Sequence, residues 1–420
     1  MAQYLNSKDE RRKNILTFNI DIITFAGLGA LLLMFGDWVI KRYEFFWKYS
    51  IPSPVIGGFS FAVLMLILKE TNLVNFEFDD ALYDLFMYIF FVTIGLTTGL
   101  NLLKRGGRLL LFYVFVCWLL VFVQSGIGVG MALVTGISPL QGIMAGYPSM
   151  QGGHGMAGSL APVAEALGEN SALTIGMAAA TYGLIAGSLI GGPVGNWLIK
   201  KNNLSIETDE AKSNYDEELS KEIEGDYKDE VNGQNIFISG AIVFIILAIG
   251  MPTADWITNV TGFAVPGHIF SLFLGIFFRS INDKKQIVKM SDKSMGLIST
   301  LSLNMFLVMA MMKLKIWELY DLAIPLTVIL IVQTIITVLI AIFIMFKIMG
   351  KNYDAAILAS GFIGHGLGAT PNGLVVMDAV CKKYGLVSKK AFLIIPVAGT
   401  VLTDIVGVPV FLFVTNLFGS

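Results

Sequence analysis

PLQGIMAGYPSMQGGHGMAG at residues 139–158 and ASGFIGHGLGATPNG at residues 359–373 are the two segments on which the fold turns. Each lies in a long stretch without Lys, Arg, Asp or Glu, from 109 to 164 and from 355 to 377. A helix crosses ~30 Å of hydrocarbon in roughly 20 residues. The first stretch is more than twice that length, and the second follows directly on another apolar run. Both segments are crowded with Gly and Pro, so each is expected to dip into the protein and return as a re-entrant hairpin, over 138–165 and 355–378. Lipid tolerates such irregular backbone only where protein buries it or a wet cavity receives it.

The composition around these segments agrees with a membrane solvent. The chain has 420 residues, 55% of them hydrophobic and 14% charged, and a net charge of −2. Sixty charged residues cannot clothe an aqueous surface for this length, and no basic excess exists to neutralise phosphates, which excludes nucleic acid as a partner. Charge-free stretches predict spans at about 20–40, 54–68, 82–101, 109–131, 171–199, 236–254, 264–278, 295–312, 322–346 and 391–413. The expected fold is an all-α polytopic membrane protein with these ten spans as transmembrane helices. The polar, basic start of the chain runs into the first apolar stretch without a small-residue cleavage site, so that stretch is an uncleaved span. Cys117 and Cys381 are expected to be two unpaired thiols.

Lys and Arg mark the cytoplasmic side of short loops. With both hairpins returning to their side of entry, 22 basic residues fall on one side and 7 on the other. Both termini are then outside. The chain also repeats itself at about half its length: Gln124 pairs with Gln333, Gly153-His154-Gly155 with Gly364-His365-Gly366, and Gly183 and Pro193 with Gly399 and Pro409. Five spans per copy make the second copy inverted, an arrangement that puts a substrate site near mid-membrane between interrupted helices. The domain reading is a first repeat over 1–200, an acidic cytoplasmic linker over 201–234 with 11 acids and four lysines, and a second repeat over 235–420.

The candidate substrate contacts follow from the hairpins: Ser149, Gln151, Gly152, Gly153, His154, Gly155, Ser360, Gly366, Gly368, Thr370 and Asn372. Glycine bares main-chain N–H and C=O groups, and Gly-rich turns form nests for anions or carbonyl rings for cations. No Lys or Arg stands in mid-span, so an anionic substrate has to be held by helix N-termini and amides, with a co-bound cation offsetting its charge. Asp404 in the last span, with Asn304 and Ser302, is the expected cation site, since a carboxylate in hydrocarbon is costly and usually functional. His154 and His365 could contact substrate or satisfy broken backbone. Gln124 and Gln333 are expected mainly to bond helix to helix. Gly153, Gly155 and Gly158 fit GxGxxG without the strand or βαβ unit a dinucleotide site needs. With HExxH, P-loop and Ser-His-Asp patterns also missing, an enzyme is not expected, and no organic cofactor is.

At the hairpins the chain resembles the bacterial sodium/glutamate symporter family, and the likeness covers nearly its whole length. The stretch MGKNYDAAILA at 349–359 with GLGATP at 366–371 is similar to that family's second re-entrant signature, and Gly152-Gly153-His154-Gly155 to its first. Residues 309–319 (MAMMKLKIWEL) and 93–96 (TIGL) resemble its span ends. The resemblance implies paired re-entrant loops, sodium as the coupling ion for uptake of glutamate, a homodimer with elevator-type movement, and the bacterial inner membrane as location. The chain departs from the family pattern at Gln151 and Met156, where Ser and Thr are usual, and at Phe362 and His365, where His and Phe are. A sodium- or proton-linked carrier of another carboxylate is the rival within this fold. A channel is the rival outside it, and it would require polar stripes that the spans lack.

Overall fold

The computed structural model describes residues 16–48, 51–70, 74–97, 107–204, 231–261 and 265–419. The basic N-terminal residues, the Lys104-Arg105 loop and residues 205–230 of the acidic linker lie outside the described residues. In an apolar medium a helix satisfies its own main chain, and the charge-free stretches fold accordingly. The helices of the first half are α1 (Ile22–Arg42), α2 (Ser53–Glu70), α3 (Ala81–Thr97), α4 (Gly107–Thr135), α5 (Pro139–Met144), α6 (Tyr147–Met150), α7 (Gly153–Ala166) and α8 (Ala172–Lys201). Those of the second half are α9 (Gly233–Thr261), α10 (Gly267–Lys285), α11 (Asp292–Met312), α12 (Ala323–Ile348), α13 (Tyr353–Tyr384), α14 (Lys389–Val397) and α15 (Asp404–Phe418). Six of the described helices, α1, α4, α8, α9, α11 and α12, are long and apolar enough to cross a membrane. Bulky apolar side chains such as Met34 and Trp38 on α1 and Phe244 and Trp256 on α9 face outward, as lipid contact requires. The chain is a multi-pass helical membrane protein.

One feature adds to the all-α expectation. Leu16–Ile20 (β1) and Val74–Phe78 (β2) pair as a parallel two-stranded sheet, Leu16 opposite Val74 and Ile20 opposite Phe78. Both segments alternate apolar and polar residues, a period of two that a count of charge-free runs passes over. Phe18 stacks on Phe76 at 5.7 Å, and Phe78 lies 4.7 Å from the Phe25 ring of α1. The chain then enters α1 through Asp21, whose carboxylate accepts from Ile23 N–H at 3.0 Å and Thr24 N–H at 3.1 Å. These bonds, with that from the Thr24 hydroxyl first, hold the Asp21 carboxyl below its usual range.

The helices pack as two groups. Helices α1, α2, α3, α9, α10 and α11 pack on one another, and α4–α8 pack with α12–α15. The groups meet where α7 lies on α11. There Gly155 faces Phe90 and Leu303, Gly158 faces Phe306, and Tyr83 donates to the Gly158 carbonyl at 3.2 Å.

Within the second group the chain reverses twice. Gly368 (φ −143°, ψ 25°) and Ala369 (φ 69°, ψ 170°) break α13 into two arms, 353–367 and 370–384. The arms run back along each other: Asn372 Nδ2 donates to Gly364 O at 3.2 Å, and Gly361 abuts Met377. Eight residues of unbroken helix would span ~12 Å. The other reversal follows α4. Past Gly136 (φ 77°), α5 and α6 return along α4, bringing Gly142 onto Gly128 and Gly146 onto the Gln124 carbonyl, and the chain turns again at Gly152-Gly153 into α7. A capping box at Ser138 and Gln141 starts this return.

Helix α8 lies between the arms of α13 on a stripe of Gly183, Gly187, Gly191 and Gly195. Spacing of four puts them on one face, where small residues allow close backbone approach. A Cβ on Gly183 would run into the Leu367 carbonyl, and one on Gly195 would lie 2.7 Å from Ser360 Cβ. Gly192, on the same helix, faces open space. Overpacking costs about 1–3 kcal/mol. Gly183→Val should therefore lower the thermal midpoint of the purified protein by several degrees or prevent its recovery, while Gly192→Ala should leave it unchanged or raise it; melting followed by size-exclusion chromatography reads both.

Candidate functional site

The two reversals meet. A Cβ on Gly153 would stand 2.8 Å from that of Ala369, and the two residues share the left-handed conformation, at φ 65° and 69°. Glycine adopts this geometry freely, whereas Ala369 holds it at a cost of about 1–2 kcal/mol. Helix α7 begins at one tip and the second arm of α13 at the other, so two helix N-termini open onto the same place. Each carries free N–H groups and a partial positive charge. No Lys or Arg is among the buried residues described, and Asp404 is the buried carboxylate among them.

Of the sequence-derived contacts, Gln151, Gly152, Gly153, His154, Gly155, Gly366, Gly368 and Thr370 stand at or within a turn of the reversals. Gln151 is the C-cap of α6; its Nε2 donates to Cys117 O at 3.3 Å, and its Oε1 has no partner among the described residues. His154 pairs its Nε2 with Thr181 Oγ1 at 3.0 Å on α8. The Ser149 hydroxyl is bound to the Met144 carbonyl. Ser360 stands away from the tip, whereas Asn372 stands at it, its amide against Gly368. Ser360 lies two turns down its arm against Gly195 and donates to Ile357 O at 2.7 Å. Asn372 accepts from Ser188 at 2.6 Å and donates to Leu184 O and Gly364 O, so it pins the hairpin to α8.

The two Gly-His-Gly motifs also differ in place. His154 directly follows its reversal and His365 precedes its own, so matching the tips sets Gly153 beside Ala369, an offset of 216 that agrees with Gly183 and Gly399 rather than with the 211 of the histidines. The sequence leaves His365 between a substrate contact and a support for broken backbone. Its Nδ1 lies 3.2 Å from Tyr113 Oη and 3.9 Å from Cys117 Sγ. Its Nε2 has no partner among the described residues and faces Gly399, beside Thr370.

Asp404 opens α15 just after a π turn, Ala398–Leu402, of the kind often found at functional sites. Tyr147 of α6 donates to its Oδ1 at 2.6 Å, and Gly407, one turn on, leaves room for the Tyr147 ring. Tyr147 was missed because nothing in its sequence context separates it from other buried aromatics. Ser302 and Asn304 sit on α11, in the other helix group, and no hydrogen bond among the described residues joins either to Asp404.

Broken helices with opposed N-termini, in a core where no Lys or Arg is buried among the described residues, define a membrane carrier of small solutes. The profile described as Sodium/glutamate symporter matches residues 18–386, and the chain belongs to that family. It is 36% identical to the sodium/glutamate symporter of Escherichia coli (strain K12) over 391 residues, 93% of this chain and 96% of that protein. It is equally similar to that of Shigella flexneri, and 34% identical over 395 residues to that of Haemophilus influenzae, at the same coverages.

Removing the Tyr147 hydroxyl strips a hydrogen bond from a buried carboxyl, a loss of about 1–3 kcal/mol. Tyr147→Phe should lower the thermal midpoint, and in Asp404→Asn the same tyrosine change should cost less; equal losses in both backgrounds would mean that the two side chains are not coupled.

Proposed function

We propose that this chain carries L-glutamate inward with sodium, exposing the hairpin tips alternately to each side of the membrane. One observation carries the reading: two helix N-termini face each other at Gly153 and Ala369 in a core with no buried Lys or Arg described. Such ends suit carboxylates, which main-chain N–H groups and helix dipoles can hold without a basic side chain. The names of the relatives supply the particular acid and ion.

In this reading Gln151, Gly152, Gly153, His154, Gly155, Gly366, Gly368 and Thr370 frame glutamate, with Ser149, Ser360 and Asn372 holding the hairpins in shape. Asp404 serves a sodium ion. The spans form two inverted five-span repeats with both termini outside, and the hairpins enter from opposite faces. Contacts between loops assigned to one side support this orientation. Lys313 pairs with Asp80 at 2.8 Å and Gln141 with Glu169 at 3.1 Å on the outer side. Arg279 reaches Leu96 O at 3.2 Å and pairs with Asp292 on the inner. The two helix groups supply a frame and a moving body, for an elevator in a homodimer of the bacterial inner membrane.

Uptake of labelled glutamate into proteoliposomes tests this directly. An inward sodium gradient should drive saturable accumulation above equilibrium, and competition by unlabelled dicarboxylates measures how far the site is committed to glutamate. A flux that stops at equilibrium would indicate a pore. Asp404→Asn should raise the sodium concentration for half-maximal uptake; an unaltered sodium curve would take Asp404 out of the ion site.

A further inference from the structure

Gln124 on α4 and Gln333 on α12 are fully buried amides, and each reaches into the opposite half of the chain. Gln124 Nε2 donates to Gly366 O at 2.7 Å, in the last turn of the first arm of α13 before its reversal. Gln333 Nε2 donates to Ala145 O at 3.0 Å, the residue that closes α5. The two residues adjoin: Gln333 Nε2 is 3.3 Å from the main-chain carbonyl of Gln124, and Gln124 Nε2 is 3.5 Å from Thr337 Oγ1, one turn beyond Gln333. Because a carbonyl only accepts, these bonds fix which end of each amide is nitrogen. Both Oε1 atoms are then turned away, wholly buried and without a partner among the described residues.

Helix packing explains the nitrogens and leaves the oxygens unexplained. A buried acceptor without a donor is costly, so two of them on adjoining residues call for a ligand. The chemistry there is one-sided. It consists of amide oxygens, a threonine hydroxyl and main-chain carbonyls at the ends of interrupted helices, where the dipole is negative. Oxygen donors of this kind suit a hard cation and repel a carboxylate.

We propose that Gln124 Oε1 and Gln333 Oε1 are ligands of a sodium ion, at a site separate from Asp404 where α4 and α12 cross beside both hairpins. The assignment rests on the sodium-coupled reading above and adds the residues that bind the ion. Ion binding there would draw on both halves of the chain at once.

Thermal unfolding of the purified full-length protein, with sodium replacing potassium at constant ionic strength and no glutamate present, tests the site. The wild type should be stabilised by sodium; if it is not, the coupling reading itself fails. Gln124→Met and Gln333→Met, which remove the oxygen, should raise the midpoint sodium concentration tenfold or more. Gln124→Glu and Gln333→Glu, which keep an oxygen but lose the amide N–H groups, should retain a midpoint at or below the wild-type value. Wild-type sodium midpoints in folded methionine variants would overturn the proposal, the more so if their glutamate affinity fell, since the oxygens would then serve the substrate's ammonium group. Should the methionine variants not fold, the glutamate variants decide alone: loss of their sodium response would assign the amides to hairpin support and overturn the site.

Discussion

A main-chain group taken out of water must find a partner, and in lipid that requirement is nearly absolute. The helices meet it internally, so the informative places are the few where a helix stops inside the protein. At each of these a side chain or a neighbouring element supplies the missing bond. Gln124 takes the Gly366 carbonyl, Gln333 the Ala145 carbonyl and Trp118 that of Leu402. The amides capped at two of these breaks come from the other half of the sequence, so neither half settles its own hairpin alone.

Close approach makes this exchange feasible. The glycine stripe of α8 brings its backbone into the cleft of α13, and Gly146 lets α6 approach the Gln124 carbonyl. Larger residues would push the reversals apart and carry the helix N-termini away from each other. Small side chains thus fix the positions of the dipoles, in a core where no Lys or Arg is buried among the described residues.

Much of this was legible in the sequence because lipid imposes a simple code. Charge-free runs marked most helices to within a few residues, although the ends at Thr261 and Lys285 lie seven residues beyond expectation, and Gly-Pro clusters in over-long runs marked the reversals. The strand pair escaped because its period-two pattern sits beside a span and is only five residues long on each side. Side-chain direction was harder. Ser360 carries the right chemistry, but how far it falls from the tip depends on where the helix breaks, and Gly368-Ala369 places that break after His365 rather than at it. Gln124 and Gln333 stood out as a pair at 209 residues' separation, yet only coordinates show that each has a spent end and an idle one.

The seam between α7 and α11 has a mechanical corollary. Glycine backbone at 155 and 158 confronts the flat rings of Phe90 and Phe306, and Tyr83 bonds across it to the Gly158 carbonyl. Surfaces of that texture offer slight resistance to shear, whereas the interdigitated contact of α8 with α13 offers a great deal. Slippage between bodies would start along the smooth seam, leaving the hairpin tips undisturbed as cargo housed in one rigid block.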